Sequence, residues 1–207
     1  MDRMRSEDLL DDDFMPLPRR IVRWPVELVP PEGFDPHDLA TWPRISGRLE
    51  WVRGRLLYMP PCGMEQALTV TDLVVVLGLW ARAHPEFVVC TNEAGMKLAD
   101  DVRGADGAVF RRADGLPTGH EVARVPPVLA IEVSGRDPEP LDEKAQWYLD
   151  HGVVVVWLVL TDRRVVRVVS EASSVELGVG ERIPEHPALP GLAPRISDLF
   201  AQTSRPA

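Results

Sequence analysis

A glutamate and a lysine near the middle of the chain have the spacing and the setting to act together. Glu132 lies near the end of an apolar strand pattern over residues 128–133, and Lys144 follows twelve residues later in a helical pattern. Side chains alternate faces along a strand, so Glu132 shares a face with Ala130 and Val128, which are apolar and predict a covered face. An ionised carboxylate on a covered face needs a charged partner or a metal ion.

The helical pattern predicts the direction of the lysine. Leu141, Lys144, Ala145 and Tyr148 fall at positions i, i+3, i+4 and i+7, so they share one face of a helix. The short link of residues 134–140 returns this helix close to the strand end, so the lysine can meet the glutamate. We expect a partly exposed ammonium group within roughly 3–6 Å of the carboxylate.

Asp106 is the third residue that could take part in this chemistry. It stands at the head of the strand pattern "GAVFR", residues 107–111. Two neighbouring strands that each present a carboxylate at one end could bind a hard divalent cation, since Mg²⁺ typically takes one or two carboxylates and keeps several waters. A lysine beside such an ion can stabilise developing charge or orient an attacking water. This chemistry suits phosphodiester hydrolysis.

Each candidate also has a simpler structural interpretation. Lys144 can form a structural salt bridge with Glu132, with its aliphatic stem packed past Tyr148. Asp106 can be a turn residue that precedes a strand. Glu50, in a predicted hairpin, can lie at the site or simply be solvated. The sequence leaves these interpretations open.

Composition limits the class of protein. The chain has 207 residues and a formal charge of −9, which argues against a broad basic surface for nucleic acid but leaves room for a local basic groove or a metal-neutralised site. No apolar run reaches 18 residues and the N-terminus lacks a signal-peptide pattern, so we expect a cytoplasmic protein without a membrane span. Cys62 and Cys90 have no metal-type spacing and are predicted to be free thiols.

The remaining patterns predict one α/β domain over residues 21–200, after a flexible acidic segment at 1–20 and before a tail at 201–207. The expected sheet is mixed and flanked by helices. Helices are predicted over residues 35–42, 63–84, 140–150 and near 200, and strands over residues 49–52, 55–59, 87–91, 96–98, 107–111, 128–133, 153–160 and 165–169.

The order of these segments resembles the Uma-two family, within the PD-(D/E)XK superfamily of endonucleases. The resemblance is carried by "ADGAVF", "PPVLAIEVSG" and "DEKAQWYLDHGVVVVWLVL", by the upstream hairpin "LEWVRGRLLYMPPCGMEQ" and by the ending "LPGLAPRISDLF". No single motif is specific, but their order and spacing together are. The similarity covers roughly residues 45–200.

This resemblance implies a restriction-endonuclease-like core in which Asp106 and Glu132 bind Mg²⁺ or Mn²⁺. The superfamily lysine normally follows the glutamate by two residues, where this chain has Ser134. Lys144 would then supply the catalytic ammonium from the helix, and Glu50 is a weaker catalytic candidate. The implied partner is nucleic acid, first of all DNA, and a homodimer is possible.

The sequence therefore predicts a metal-dependent endonuclease, with two rivals. One is a catalytically silent protein that uses the same fold for binding, which the negative charge favours. The other is an oligomerisation protein whose valine-rich strands form an interface.

Overall fold

A computed structural model describes residues 25–119, 121–134 and 141–204, except for the side chains of Asn92 and Glu93. The predicted flexible segment at residues 1–20 and most of the link before the second helix lie outside this part. The described residues form helices α1 (Met64–Ala83) and α2 (Leu141–Asp150) and strands β1 (Val26–Leu28), β2 (Arg48–Val52), β3 (Arg55–Met59), β4 (Phe87–Leu98), β5 (Asp101–Arg111), β6 (Leu129–Ser134), β7 (Val155–Leu160), β8 (Val165–Ser170) and β9 (Ser174–Gly178).

All of these strands belong to one mixed sheet. Its order is β1-β3-β2-β5-β6-β7-β8-β9, and β4 pairs with β5 in addition. The pairing between β6 and β7 is parallel, while the other strand pairs are antiparallel. The parallel pair requires a crossover, which α2 provides, so this helix packs beside the strand that carries Glu132.

Strand β5 has two different neighbours along one of its edges. β4 pairs with β5 along most of its length, and the opposite edge contacts β2 at Val102 and β6 over Gly107–Val109. β2 and β6 diverge between these contacts, so residues 103–106 of β5 face an opening that we term the fork. Backbone groups at the fork need partners other than a strand.

Two apolar clusters hold the helices to the sheet. One joins Leu73 and Leu77 of α1 to residues such as Ile131 and Trp157 of the sheet. The other includes α2 and Ala130. Because burying apolar surface is the main favourable term in folding, these clusters position the residues of the fork.

The predicted fold class is confirmed, and several boundaries are corrected. The β2–β3 hairpin, α1 and α2 lie where the sequence predicts them. The strands predicted over residues 87–91 and 96–98 form a single strand with an irregularity between Thr91 and Ala94. The helix predicted over residues 35–42 is only a 3-10 turn at Leu39–Thr41.

Helix α1 is long and apolar enough to cross a membrane by length and composition alone, which the sequence analysis did not anticipate. Its residues nevertheless form part of the fold. Leu73 and Leu77 pack in the core, and Asp72 accepts hydrogen bonds from the backbone and side chain of Gln202 at 2.9 Å each. We therefore describe α1 as a core helix of the domain.

Candidate functional site

A buried ion pair links β6 to α2 beside the fork. Lys144 Nζ donates to Glu132 Oε2 at 2.7 Å, and the Tyr148 hydroxyl donates to Glu132 Oε1 at 2.5 Å. The side chains of Lys144 and Glu132 are each only 2% exposed. Both carboxylate oxygens thus accept from successive turns of α2, so this pair ties the helix to the sheet.

Glu50 of β2 is a second buried carboxylate, with a side chain 1% exposed. Its Oε2 atom accepts from Arg103 Nε and lies 3.0 Å from Arg103 Nη2 as well. Its Oε1 atom lies 3.8 Å from Lys144 Nζ and 3.6 Å from Arg48 Nε. The backbone N–H of Gly104 also donates to Oε1, at 3.4 Å. Glu50 therefore connects β2, β5 and α2 and satisfies a backbone group that no strand reaches.

Asp106 lies within β5, whereas the sequence predicts it just before a strand. Its Oδ2 atom accepts from the backbone N–H of Val133 at 2.7 Å, so the carboxylate stands in for a strand carbonyl at the fork. Arg48 Nη1 lies 3.4 Å from Oδ1, and Gln66 Nε2 lies 3.5 Å from Oδ2. The interpretation of Asp106 as a turn residue is therefore wrong. Its side chain points into the fork and contacts the residue that follows Glu132.

The two buried glutamates have opposite pKa perturbations. Burial raises the pKa of Glu132, and although Lys144 opposes the change, the charge on Asp106 adds to it, so the pKa reaches about 7. Burial also acts to raise the pKa of Glu50, but the charges of Lys144, Arg103 and Arg48 outweigh it and hold that pKa below its usual value. Glu50 is therefore ionised at neutral pH, whereas Glu132 is close to its titration point.

Among the described residues, the carboxylates at the fork and the cations that contact them are equal in number: Glu50, Asp106 and Glu132 on one side, Arg48, Arg103 and Lys144 on the other. Buried charges are tolerated only when they are paired in this way.

A cleft of about 220 Å³ leads from the surface to part of this charged cluster. It lies between the β2–β3 hairpin and α2, and Glu50, Arg103 and Lys144 line its inner part. Arg53 and Arg55 line it at the hairpin. Glu27, which lies 3.8 Å from Arg55, and Glu143 line the cleft as well, so its exposed part carries charges of both signs.

The structure brings together the four residues that the sequence predicts, Asp106, Glu132, Lys144 and Glu50. The expected partial exposure of Lys144 is wrong, since the ammonium is buried. Sequence reasoning missed Arg48, Arg103 and the hydroxyl of Tyr148. A signal existed for Arg48, because it lies two residues before Glu50 and so on the same face of one strand.

Comparisons with known proteins agree with this architecture. A crystal structure of "a putative nuclease belonging to DUF820 from Anabaena variabilis" superposes with a TM-score of 0.71 and 18% sequence identity. The alignment covers 81% of this chain and 98% of that one. No curated protein matches the sequence. The family model described as "Uma2: Putative restriction endonuclease" matches residues 36–199. Because this match spans most of the chain, the protein belongs to the Uma2 family.

Proposed function

We propose that the protein hydrolyses phosphodiester bonds in nucleic acid, with DNA as the first candidate substrate, in a reaction that depends on Mg²⁺ or Mn²⁺. The observation that carries this proposal is the convergence at the fork of a buried lysine and carboxylates from two adjacent strands. Lys144 lies 2.7 Å from Glu132, and Asp106 contacts the residue after Glu132. Family membership and the nuclease-like fold support the same reaction class.

The donor set fits a hard divalent cation. Asp106 and Glu132 offer carboxylate oxygens on paired strands, and Mg²⁺ needs only one or two of them because it keeps several waters. Among the described residues no cluster of three or more acidic, histidine or cysteine ligands is present, so the proposed metal site depends on these two carboxylates. The raised pKa of Glu132 reflects in part the repulsion from Asp106, which a cation would relieve.

In this proposal each residue has a distinct role. Asp106 and Glu132 would hold the metal ion, which when bound would polarise the phosphoryl group and neutralise its charge. Lys144 would orient the attacking water and stabilise negative charge as it develops at the phosphate. Glu50 is a positioning residue, because its contacts with Lys144 and Arg103 hold both cations at the inner end of the cleft.

One observation favours the alternative of a catalytically silent binding protein. Among the described residues, each of the three carboxylates contacts a cationic side chain, so the cluster can also serve as a structural network. Its energy would then stabilise the fold rather than a transition state. The cytoplasmic location and the homodimer are further predictions that do not depend on this choice.

Nicking of supercoiled plasmid DNA and thermal unfolding, each with Mn²⁺ or with EDTA, distinguish the two functions. We expect the wild type to nick DNA only with metal and to unfold at a higher temperature when Mn²⁺ is present, because a ligand that binds only the folded state stabilises it. Asp106→Asn should lose both effects. Asp114→Asn, the same change at an exposed residue beyond β5, should retain them.

The opposite set of results would support the catalytically silent binding protein. In that case Mn²⁺ would not change the unfolding temperature of the wild type, no DNA or RNA would be cleaved, and Asp106→Asn would lower stability.

A further inference from the structure

The turn of the β2–β3 hairpin has an unusual residue at a demanding position. Val52 pairs with Arg55, so the loop consists of Arg53 and Gly54 alone, with φ values of 51° and 74°. Positive φ at both central residues defines a type I′ turn, whose first position favours Asn, Asp or Gly. An arginine there adopts a left-handed conformation that is unfavourable for a residue with a Cβ.

Buried contacts hold this turn in place. Asp101 Oδ1 accepts from the backbone N–H of Arg53 at 2.8 Å, and Asp101 Oδ2 accepts from Trp147 Nε1 at 2.7 Å. Asp101 is 8% exposed, so neither hydrogen bond competes freely with water. The hairpin tip is thus fastened both to β5 and to α2, which is the helix that carries Lys144.

A second arginine in the chain shows what a left-handed arginine can do for its own fold. Arg164 has φ 53°, and its guanidinium donates to the Phe200 carbonyl at 3.3 Å and to Ser204 Oγ at 2.7 Å. It also lies over the ring of Phe200. These contacts join the β7–β8 turn to the C-terminal 3-10 helix and offset the backbone cost.

Arg53 has no such internal role within residues 25–119, 121–134 and 141–204. Its side chain is exposed, and its guanidinium makes no hydrogen bond or ion pair with the described residues. It lines the cleft together with the basic residues Arg55, Arg103 and Lys144 and the acidic residues Glu27 and Glu143. The surrounding structure holds Arg53 in a strained backbone conformation, and the side chain gives no structural contact in return. Such strain suggests that the residue has a functional role.

We propose that Arg53 binds a backbone phosphate of the nucleic acid next to the phosphate at the buried site. This inference rests on the proposed function and adds to it the hairpin tip as a substrate-positioning element. A planar guanidinium suits a phosphate because it can donate two parallel hydrogen bonds. The rigid attachment of the turn through Asp101 sets the distance of Arg53 from Lys144, so binding at the tip would align the strand along the cleft.

The experiment compares Arg53→Asn with Arg111→Asn. Asn followed by Gly is the preferred pair for a type I′ turn, so Arg53→Asn should fold with an unfolding temperature no lower than that of the wild type. Arg111 is exposed at the opposite end of β5, so its substitution removes the same charge far from the cleft. Affinity for a fluorescent DNA duplex is measured by anisotropy in EDTA, between 50 and 200 mM salt.

One phosphate contact contributes about 0.9 to the slope of log affinity against log salt on duplex DNA. We expect Arg53→Asn to lose about 0.9 of this slope and, taking 1 M salt as the reference, about eightfold in affinity at 0.1 M. Arg111→Asn should match the wild type. If the wild type binds DNA and Arg53→Asn keeps its slope and affinity, this inference is overturned alone. If the wild type binds neither DNA nor RNA and cleaves neither, the proposed function is overturned with it.

Discussion

Replacing Lys144 by methionine tests the electrostatics of the buried site most directly. The change keeps an unbranched side chain of similar length and removes the charge that lies 2.7 Å from Glu132 Oε2. Glu50 loses a more distant partner at 3.8 Å but retains Arg103 and Arg48. The main consequence is therefore a buried Glu132 carboxylate whose remaining side-chain donor among the described residues is the Tyr148 hydroxyl.

The effect should depend on pH, because Glu132 can take up a proton when its partner is removed. The wild-type pKa of Glu132 is about 7, against 4.5 for an unperturbed glutamate. The folded state thus holds a proton that the unfolded chain releases, so this group favours folding at low pH. That contribution is lost as the pH rises from about 4.5 to about 7, and its size is about 3 kcal/mol at 1.36 kcal/mol for each pH unit.

Without Lys144 the pKa of Glu132 should rise further, because the lysine charge opposes the effect of burial. At pH 6 Glu132 is mainly protonated in both proteins, so the variant loses only the packing and hydrogen bond of the lysine. At pH 8, which is above the wild-type pKa, keeping the proton adds a cost on the order of 1 kcal/mol. We expect a total loss of about 3–5 kcal/mol at pH 8 and a loss about 1 kcal/mol smaller at pH 6.

Urea unfolding followed by tryptophan fluorescence at pH 6, 7 and 8 in EDTA measures these free energies. All three values lie above the isoelectric point of about 5.1, so solubility is not limiting. Lys97→Met is the matched control, since Lys97 is the other lysine of the chain and lies partly exposed in β4. Its effect on the free energy of unfolding should not change with pH. An equal loss at pH 6 and pH 8 for Lys144→Met would refute the coupling between Lys144 and Glu132.

Two further substitutions test the contacts that surround the ion pair. Tyr148→Phe removes the donor to Glu132 Oε1 and should cost about 1.5–3 kcal/mol in urea unfolding at pH 8, where Glu132 is ionised. Tyr58→Phe, which removes an exposed hydrogen bond to the Ser46 carbonyl, should cost less, and equal losses at pH 8 would contradict a charged acceptor. Asp101→Asn replaces one carboxylate oxygen by an amide N–H₂ group, which cannot accept the hydrogen bond from the Arg53 backbone or from the Trp147 side chain. The substitution should therefore lower the free energy of unfolding by about 1–3 kcal/mol by the same measurement. Asp100→Asn, the same change in the adjacent exposed turn, should leave the free energy of unfolding unchanged. If Asp101→Asn also left it unchanged, the hairpin tip would not depend on the hydrogen bonds of Asp101.

Only the tertiary structure decided which face of α1 is buried. The sequence of α1 predicts a wide apolar face that includes Leu68, Val75 and Leu79, and this prediction is wrong for the last two because the helix is apolar around most of its circumference. Leu73 and Leu77 lie in the core, whereas Val75 and Leu79 are 55% and 61% exposed. The sequence likewise did not predict that the early part of β5 is a strand. The stretch "DVRGAD" contains glycine and aspartate, which strands disfavour, and it is extended because β4 pairs with it.

The sequence by itself determined the local direction of Glu132 and Lys144. Alternation along a strand and the i, i+4 repeat of a helix depend on neighbours in the chain, so the shared face of the two residues could be predicted before the fold was known. The counter-charges could not be predicted in this way. Arg103 meets Glu50 across a separation of 53 residues, and that contact exists because β2 and β6 diverge along one edge of β5. The residue types at the site are therefore encoded locally, whereas the burial of Lys144 and the charge balance around it arise from strand pairing.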